Sequence, residues 1–155
     1  MQGNERVIAG LNSLLGYELA AMDQYFIHSQ MYLDWGLNKL YERIAHEFDD
    51  EKGHASKLIE RMLFLGGVPD MQTRTGFKVG KDVKEMLKSD LRVEYEVGDK
   101  LKEVIAVCEQ EKDYVSRDML VVLLDDTEND HAHWLEQQLG LIERVGIQNY
   151  QQSQI

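Results

Sequence analysis

Two short motifs in the sequence pair a carboxylate with an imidazole at the same spacing. Glu51 precedes His54 by three residues, and Glu128 precedes His131 by three. Residues three apart share one face of an α-helix, so the two side chains of each motif point the same way. Carboxylate and imidazole ligands together suit iron or manganese, whereas calcium prefers sites made only of oxygen. In so acidic a chain, a solvated helix face is the better explanation of either motif taken alone.

The surrounding sequence predicts four long helices that can position these motifs. Apolar residues recur at helical rather than alternating spacing, and Pro69 is the only proline, so we expect an all-α fold. The predicted helices span residues 5–35, 39–65, 82–111 and 114–145, and Gly146 ends the last one. The tail NYQQSQI suggests a short fifth helix.

The connections between the helices predict how they are arranged. Only a few residues join the first helix to the second and the third to the fourth, so each pair should form an antiparallel hairpin. Between the pairs lies the longer segment GVPDMQTRTGFKVGK. When extended, this segment reaches roughly 50 Å, whereas a helix of about 28 residues is roughly 42 Å long. We therefore expect a four-helix bundle with one long crossover.

Folding the two hairpins brings acidic and imidazole side chains to one height in this bundle. Glu18 and Glu94 are 76 residues apart, and the two motifs are 77 apart, so the halves of the chain nearly repeat. Buried carboxylates repel one another, at several kcal/mol per buried ion, and two divalent cations would cancel four such charges. The sequence thus predicts a two-metal site formed by Glu18, Glu51, His54, Glu94, Glu128 and His131.

Composition limits the remaining function classes. The formal net charge of −11, from 28 acidic and 17 basic residues, disfavours nucleic acid as a partner and favours cations. It also disfavours a role in protecting DNA. No apolar run approaches the roughly 20 residues that cross a bilayer, so no membrane association is expected. The length of 155 residues predicts one domain, residues 1–155. The single Cys108 and the absence of a secretory signal predict a cytoplasmic location.

Several segments resemble the bacterioferritins from one end of the chain to the other. They are LLGYELAAMDQYFIHSQMY, DYVSRDML, HWLEQQLGLIERVGIQNY and the QSQ tail. The resemblance implies two iron ions per chain, with Glu18 and His54 on one, Glu94 and His131 on the other, and Glu51 and Glu128 bridging. It further implies a hollow shell of about two dozen copies. Such a shell oxidises Fe(II) with O2 or H2O2, stores ferric mineral and can receive electrons for iron release from a ferredoxin-type reductant.

The resemblance also suggests roles for three further residues. Tyr25 follows Glu18 by seven residues and so shares its face; it matches a family tyrosine thought to donate an electron, although a core aromatic fits the pattern equally well. His46 and Asp50, four apart, match family residues that bind iron on the inner surface of the shell. An exposed polar face explains that pair equally well.

Lys52 departs from the family pattern. Haem-binding bacterioferritins carry a methionine at this position, and two copies clamp one haem between subunits. A protonated lysine offers iron no lone pair and resists burial against a porphyrin, so we expect no haem from this chain alone. Two interpretations stay open: a haem-free homopolymer, or a subunit that co-assembles with a haem-binding chain. In the latter case, this chain could also be a structural subunit with a weak or vestigial site.

Overall fold

The computed structural model describes residues 1–155 and is helical without any strand. The helices are α1 (Glu5–Asp34), α2 (Asn38–Phe64), α3 (Val83–Gln110), α4 (Tyr114–Asp126), α5 (His133–Val145) and α6 (Ile147–Ser153). A π-helix, here called the π segment, spans Thr127–Ala132 and joins α4 to α5. The predicted all-α fold is confirmed, including the short helix at the end of the chain.

Local signals in the sequence set the ends of these helices. The Asn4 side chain accepts hydrogen bonds from two backbone N–H groups at the start of α1, and the Asp82 side chain accepts one at the start of α3. Gly36 and Gly146 follow α1 and α5 with φ angles of 74° and 81°. Side chains other than glycine rarely adopt these values, which is why the two helices end where they do.

The four long helical stretches form two antiparallel pairs. α1 packs along α2, while α3 packs against α1 and against the stretch formed by α4, the π segment and α5. The crossover between α2 and α3 follows α1 along its length. It is tied to Asn12 through the backbone N–H of Asp70, at 2.7 Å, and to His28 through the backbone N–H of Gly80, at 3.1 Å. The predicted long crossover is therefore confirmed.

The core between the pairs is apolar except for one polar zone. The apolar cluster draws residues from all the long helices, including Leu15 of α1, Leu58 of α2, Leu101 of α3 and Leu123 of α4. Glutamates and histidines are buried at mid-height within this apolar surround. No helix combines the length and apolarity required to cross a bilayer.

Candidate metal centre

Five of the six predicted ligands meet between the helices. They are Glu18 of α1, Glu51 and His54 of α2, Glu94 of α3 and His131 of the π segment, and none is more than 5% exposed. Each sits on the inward face of its helix, because apolar neighbours at helical spacing turn that face toward the core. The structure thus places a dense cluster of ionisable groups where packing alone would favour leucine.

Glu51 is the geometric centre of this cluster. Its Oε2 lies 3.5 Å from His54 Nδ1, and its Oε1 lies 2.8 Å from His131 Nδ1. Glu18 Oε2 approaches His54 Nδ1 at 3.7 Å, and Glu94 Oε1 approaches His131 Nδ1 at 3.4 Å. One carboxylate therefore faces both imidazoles through different oxygens, which is the arrangement that a bridging ligand requires.

The cluster divides into two candidate cation sites that share Glu51. In each, the ligand atoms lie within 4.8 Å of one another; one site is Glu18, Glu51 and His54, and the other is Glu51, Glu94 and His131. Both oxygens of Glu18 and of Glu51 are buried without a hydrogen-bond donor. Buried polar atoms are normally paired, so these unpaired oxygens and the carboxylate–imidazole donor set fit a divalent transition metal.

The electrostatics of the cluster show how strongly it holds protons when no metal is bound. Burial, and next the charge of Glu51, raise the pKa of Glu18 well above its usual value. Burial likewise raises the pKa of Glu94. For His54, burial acts to lower the pKa, but Glu18 and Glu51 outweigh it and raise the pKa to about 11. Cations that bind here must displace protons, so metal affinity should increase with pH.

Tyr25 lies beside the second of these sites. Its hydroxyl donates a hydrogen bond to Glu94 Oε1, and the ring is 1% exposed. Burial, followed by the charge of Glu94, raises the pKa of the phenol well above its ordinary value. The structure thus places the tyrosine in direct contact with a candidate ligand, with its proton retained.

Glu128 does not join the other five, so the prediction that it lies in the same cluster is wrong for this structure. Its side chain is 48% exposed and its Oε1 lies 3.0 Å from Lys102 Nζ. The reason is the π segment: its hydrogen bonds span five residues rather than four, so residues three apart no longer share a face. Thr127 takes the inward position instead, 1% exposed and with its hydroxyl unpaired.

A signal for this displacement is present in the sequence. The offset between the two halves is 76 residues from Glu18 to Glu94 and 77 from Glu51 to Glu128, so the second half carries one additional residue before its motif. A helix accommodates one additional residue by a single π turn. The expected continuous α-helix over 114–145 is therefore interrupted at Thr127–Ala132.

Two carboxylates that sequence reasoning did not select contact the outer edges of the histidine rings. Asp126 Oδ2 lies 2.6 Å from His54 Nε2, and Glu47 Oε2 lies 3.0 Å from His131 Nε2. Glu47 precedes His54 by seven residues, a spacing that places it on the same helix face and could have identified it. Asp126 precedes His131 by five residues, which indicates a shared face only if the π turn is known.

The remaining predicted residues lie at the edge of the cluster or outside it. His46 is largely exposed, with its Nε2 3.4 Å from Asp50 Oδ2, and the same Asp50 oxygen lies 3.4 Å from His131 Nε2. Lys52 is exposed on α2. Gly53 lines a cavity of about 420 Å³ beside His54, and a Cβ at this glycine would meet no atom within 4 Å.

Comparisons with known proteins identify one family model and several relatives that are similar to most or all of this chain. The family model described as a ferritin-like domain matches residues 8–145. A bacterial ferritin of Synechocystis is 62% identical over all of this chain and 99% of its own length. A bacterial ferritin of Neisseria meningitidis serogroup A is 56% identical over the whole of both chains. A bacterioferritin of Brucella melitensis is 39% identical over 98% of this chain and 94% of its own length.

Proposed function

Because this chain belongs to the ferritin-like family, we propose that it stores iron and oxidises Fe(II) to Fe(III) at the cluster between its helices. The observation that carries the proposal is the position of Glu51, whose two oxygens face His54 and His131 separately. A shared carboxylate holds two cations close together, which suits a reaction that withdraws one electron from each of two substrate ions.

Each of the two substrate Fe(II) ions would have its own ligands and share one carboxylate. Glu18 and His54 would bind one Fe(II), Glu94 and His131 the other, and Glu51 both. Each Fe(II) gives up one electron to a shared oxidant, O2 or H2O2, and anionic oxygen ligands favour the Fe(III) product. Tyr25 holds Glu94 through its hydroxyl and is positioned to supply an additional electron.

The proposal extends to the assembly that the resemblance to bacterioferritins implies. Copies of this chain would form a closed hollow shell in which ferric mineral accumulates, and a ferredoxin-type reductant would release it. His46 and Asp50 would contact iron at the inner surface of the shell. Lys52 offers no haem ligand, so a shell made of this chain alone would lack haem. The single buried Cys108 fits a reducing cytoplasm.

The displaced Glu128 favours a second candidate function. With this carboxylate outside the cluster, the Glu94–His131 site has one anionic ligand fewer than the sequence predicted. A weaker site would suit a structural subunit that co-assembles with a haem-binding chain and contributes little ferroxidase activity of its own. In that case the mixed shell, and not the homopolymer, would oxidise iron rapidly.

Stopped-flow measurement of Fe(II) oxidation tests the first candidate against the second. The purified homopolymer should show a fast phase that saturates at two Fe(II) per chain, and Glu51→Gln should abolish it. The matched control is Glu60→Gln, which changes an exposed carboxylate on the same helix and should leave the fast phase intact. A fast phase that survives Glu51→Gln would contradict the proposed site. A fast phase seen only after co-expression with a haem-binding chain would favour the second candidate.

A further inference from the structure

We propose that Asp90, which is not a ligand, supplies a buried negative charge that strengthens cation binding at the neighbouring metal centre, and that His28 holds this charge without neutralising it. The inference rests on the proposed function, because it concerns how the same cluster attracts Fe(II). Three completely buried side chains carry it: Gln24 and His28 of α1, and Asp90 of α3.

Asp90 has a single basic partner. Its Oδ1 accepts a hydrogen bond from Gln24 Nε2 at 2.7 Å and lies 2.8 Å from His28 Nδ1. Its Oδ2 is buried and receives no hydrogen bond from the chain, and only His28 can form an ion pair with it. Whether the charge of Asp90 is cancelled therefore depends on whether His28 is neutral or positively charged.

The backbone of the crossover determines which form His28 takes. The Gly80 N–H donates a hydrogen bond to His28 Nε2 at 3.1 Å. A backbone N–H can only donate, so Nε2 accepts and carries no proton. The one ring proton then lies on Nδ1, where it is donated to Asp90. His28 is thus neutral, and the negative charge of Asp90 is retained.

The Gly80 N–H is held in place beside the His28 ring. Gly80 is buried, and a Cβ at this position would collide with the backbone of Met86. Two residues earlier, the Lys78 carbonyl accepts a hydrogen bond from Ser89 Oγ at 2.5 Å. The end of the crossover is therefore packed tightly against α3, and the donor to His28 is fixed with it.

Asp90 lies one helical turn from the metal centre. It precedes Glu94 by four residues on α3, so the two carboxylates share one face. On α1, Gln24 donates a hydrogen bond to Asp90. The next residue, Tyr25, donates one to Glu94. Burial, then the charge of Glu94 and then that of Asp90, raise the pKa of Tyr25. The field of Asp90 therefore reaches the hydroxyl group that contacts the metal centre.

A charge in this position acts strongly on a nearby cation. Coulomb interactions in a protein interior are several times stronger than in water, and dissolved salt screens buried charges much less than exposed ones. Loss of the Asp90 charge should therefore weaken Co(II) binding at the Glu94–His131 site roughly tenfold. It should also raise the reduction potential of iron bound there, because a nearby negative charge favours Fe(III) over Fe(II).

Titration of the assembled, full-length protein with Co(II) tests the inference, with calorimetry for affinity and visible absorption for coordination geometry. Asp90→Asn removes the charge but keeps an oxygen that can accept from Gln24 and His28. It should bind Co(II) roughly tenfold more weakly with an unchanged spectrum, because no ligand has moved. Asp99→Asn is the matched control. It removes an exposed carboxylate of the same helix, five residues from Glu94, and should leave the affinity unchanged.

Two further variants separate the charge from the packing of the pair. In His28→Asn the amide can donate to Asp90, but the shorter side chain offers Gly80 no acceptor. This variant should therefore melt at a lower temperature and bind Co(II) as the wild type does. Asp90→Glu keeps the charge on a longer side chain and should retain most of the affinity, even where its melting temperature falls.

Each variant can overturn the inference. Wild-type Co(II) affinity in Asp90→Asn, or an equal loss in Asp99→Asn, would show that burial gives this charge no added effect. Tighter Co(II) binding in His28→Asn would show that His28 carries a positive charge that neutralises Asp90. Equal losses in Asp90→Glu and Asp90→Asn would assign the effect to packing. Failure of the proposed function looks different, since the wild-type protein itself would then take up no Co(II) at the cluster.

Discussion

The two helix pairs carry the same Glu-x-x-His motif and use it differently. In the α1–α2 pair, Glu51 and His54 are both buried and face the same point. In the other pair His131 is buried, whereas Glu128 turns outward and contacts Lys102. The sequence spacing is identical, and only the hydrogen-bond register of the helix differs. Motif spacing therefore has a geometric meaning only when the helix type is known.

The difference also shows how the molecule avoids adding another buried carboxylate to Glu18, Glu51 and Glu94. Glu18, Glu51 and Glu94 already have almost no contact with solvent. Burial raises the pKa of both Glu18 and Glu94. The exposed Glu128–Lys102 pair, in contrast, keeps both charges in water, where such pairs contribute little to stability. The π turn thus replaces a carboxylate with the neutral Thr127 at the inward position.

The largest expected effect compares two glutamates of the second helix pair. Glu94→Gln should weaken Co(II) binding at the His131 site by about 100-fold, corresponding to about 2.8 kcal/mol, because it removes a charged ligand. Glu128→Gln should bind Co(II) as the wild type does. Calorimetric titration of both variants makes the measurement. Equal losses in the two variants would show that Glu128 turns inward when metal binds, and the contrast between the pairs would disappear.

A smaller effect is expected when the register of the second pair is restored. Deleting Thr127 removes the additional residue, so the helix can continue as α and carry Glu128 into the inward position with His131 one turn further on. The additional carboxylate should tighten Co(II) binding at this site by about tenfold, or about 1.4 kcal/mol. A crystal structure of the variant should lack the π turn. If the π turn persists after the deletion, a cause other than chain length maintains it.

The smallest effect concerns the ion pair at the surface. Lys102→Gln removes the partner of Glu128, yet the backbone of the π segment, and not the lysine, turns this glutamate outward. Co(II) affinity and the melting temperature should therefore equal those of the wild type. Tighter Co(II) binding in Lys102→Gln would mean that the ion pair holds Glu128 away from the cluster.

Much of the architecture could be predicted because it depends on residue patterns within single helices and on the lengths of the connections between them. Helical periodicity, the glycines at helix ends and the length of the crossover predict a bundle. Folding the chain into two antiparallel hairpins then places five residues at the same height in that bundle: Glu18, Glu51, His54, Glu94 and His131. The position of Glu128 could not be predicted in this way, because every step assumed α-helical spacing. Asp126 was missed for the same reason, and its contact with His54 joins two helices in a way that spacing along one helix does not encode.

The shared position of Glu51 has a thermodynamic consequence for the two cation sites. Its two oxygens face His54 and His131 separately. An ion that binds one oxygen therefore also fixes the position of the other oxygen. The affinity of either site must then depend on whether its neighbour is filled, and by linkage this dependence is equal in both directions. If the first ion to bind already orders the Glu51 carboxylate, the second ion binds without that entropic cost. Chains with no ion or with two ions would then be more populated than chains with one.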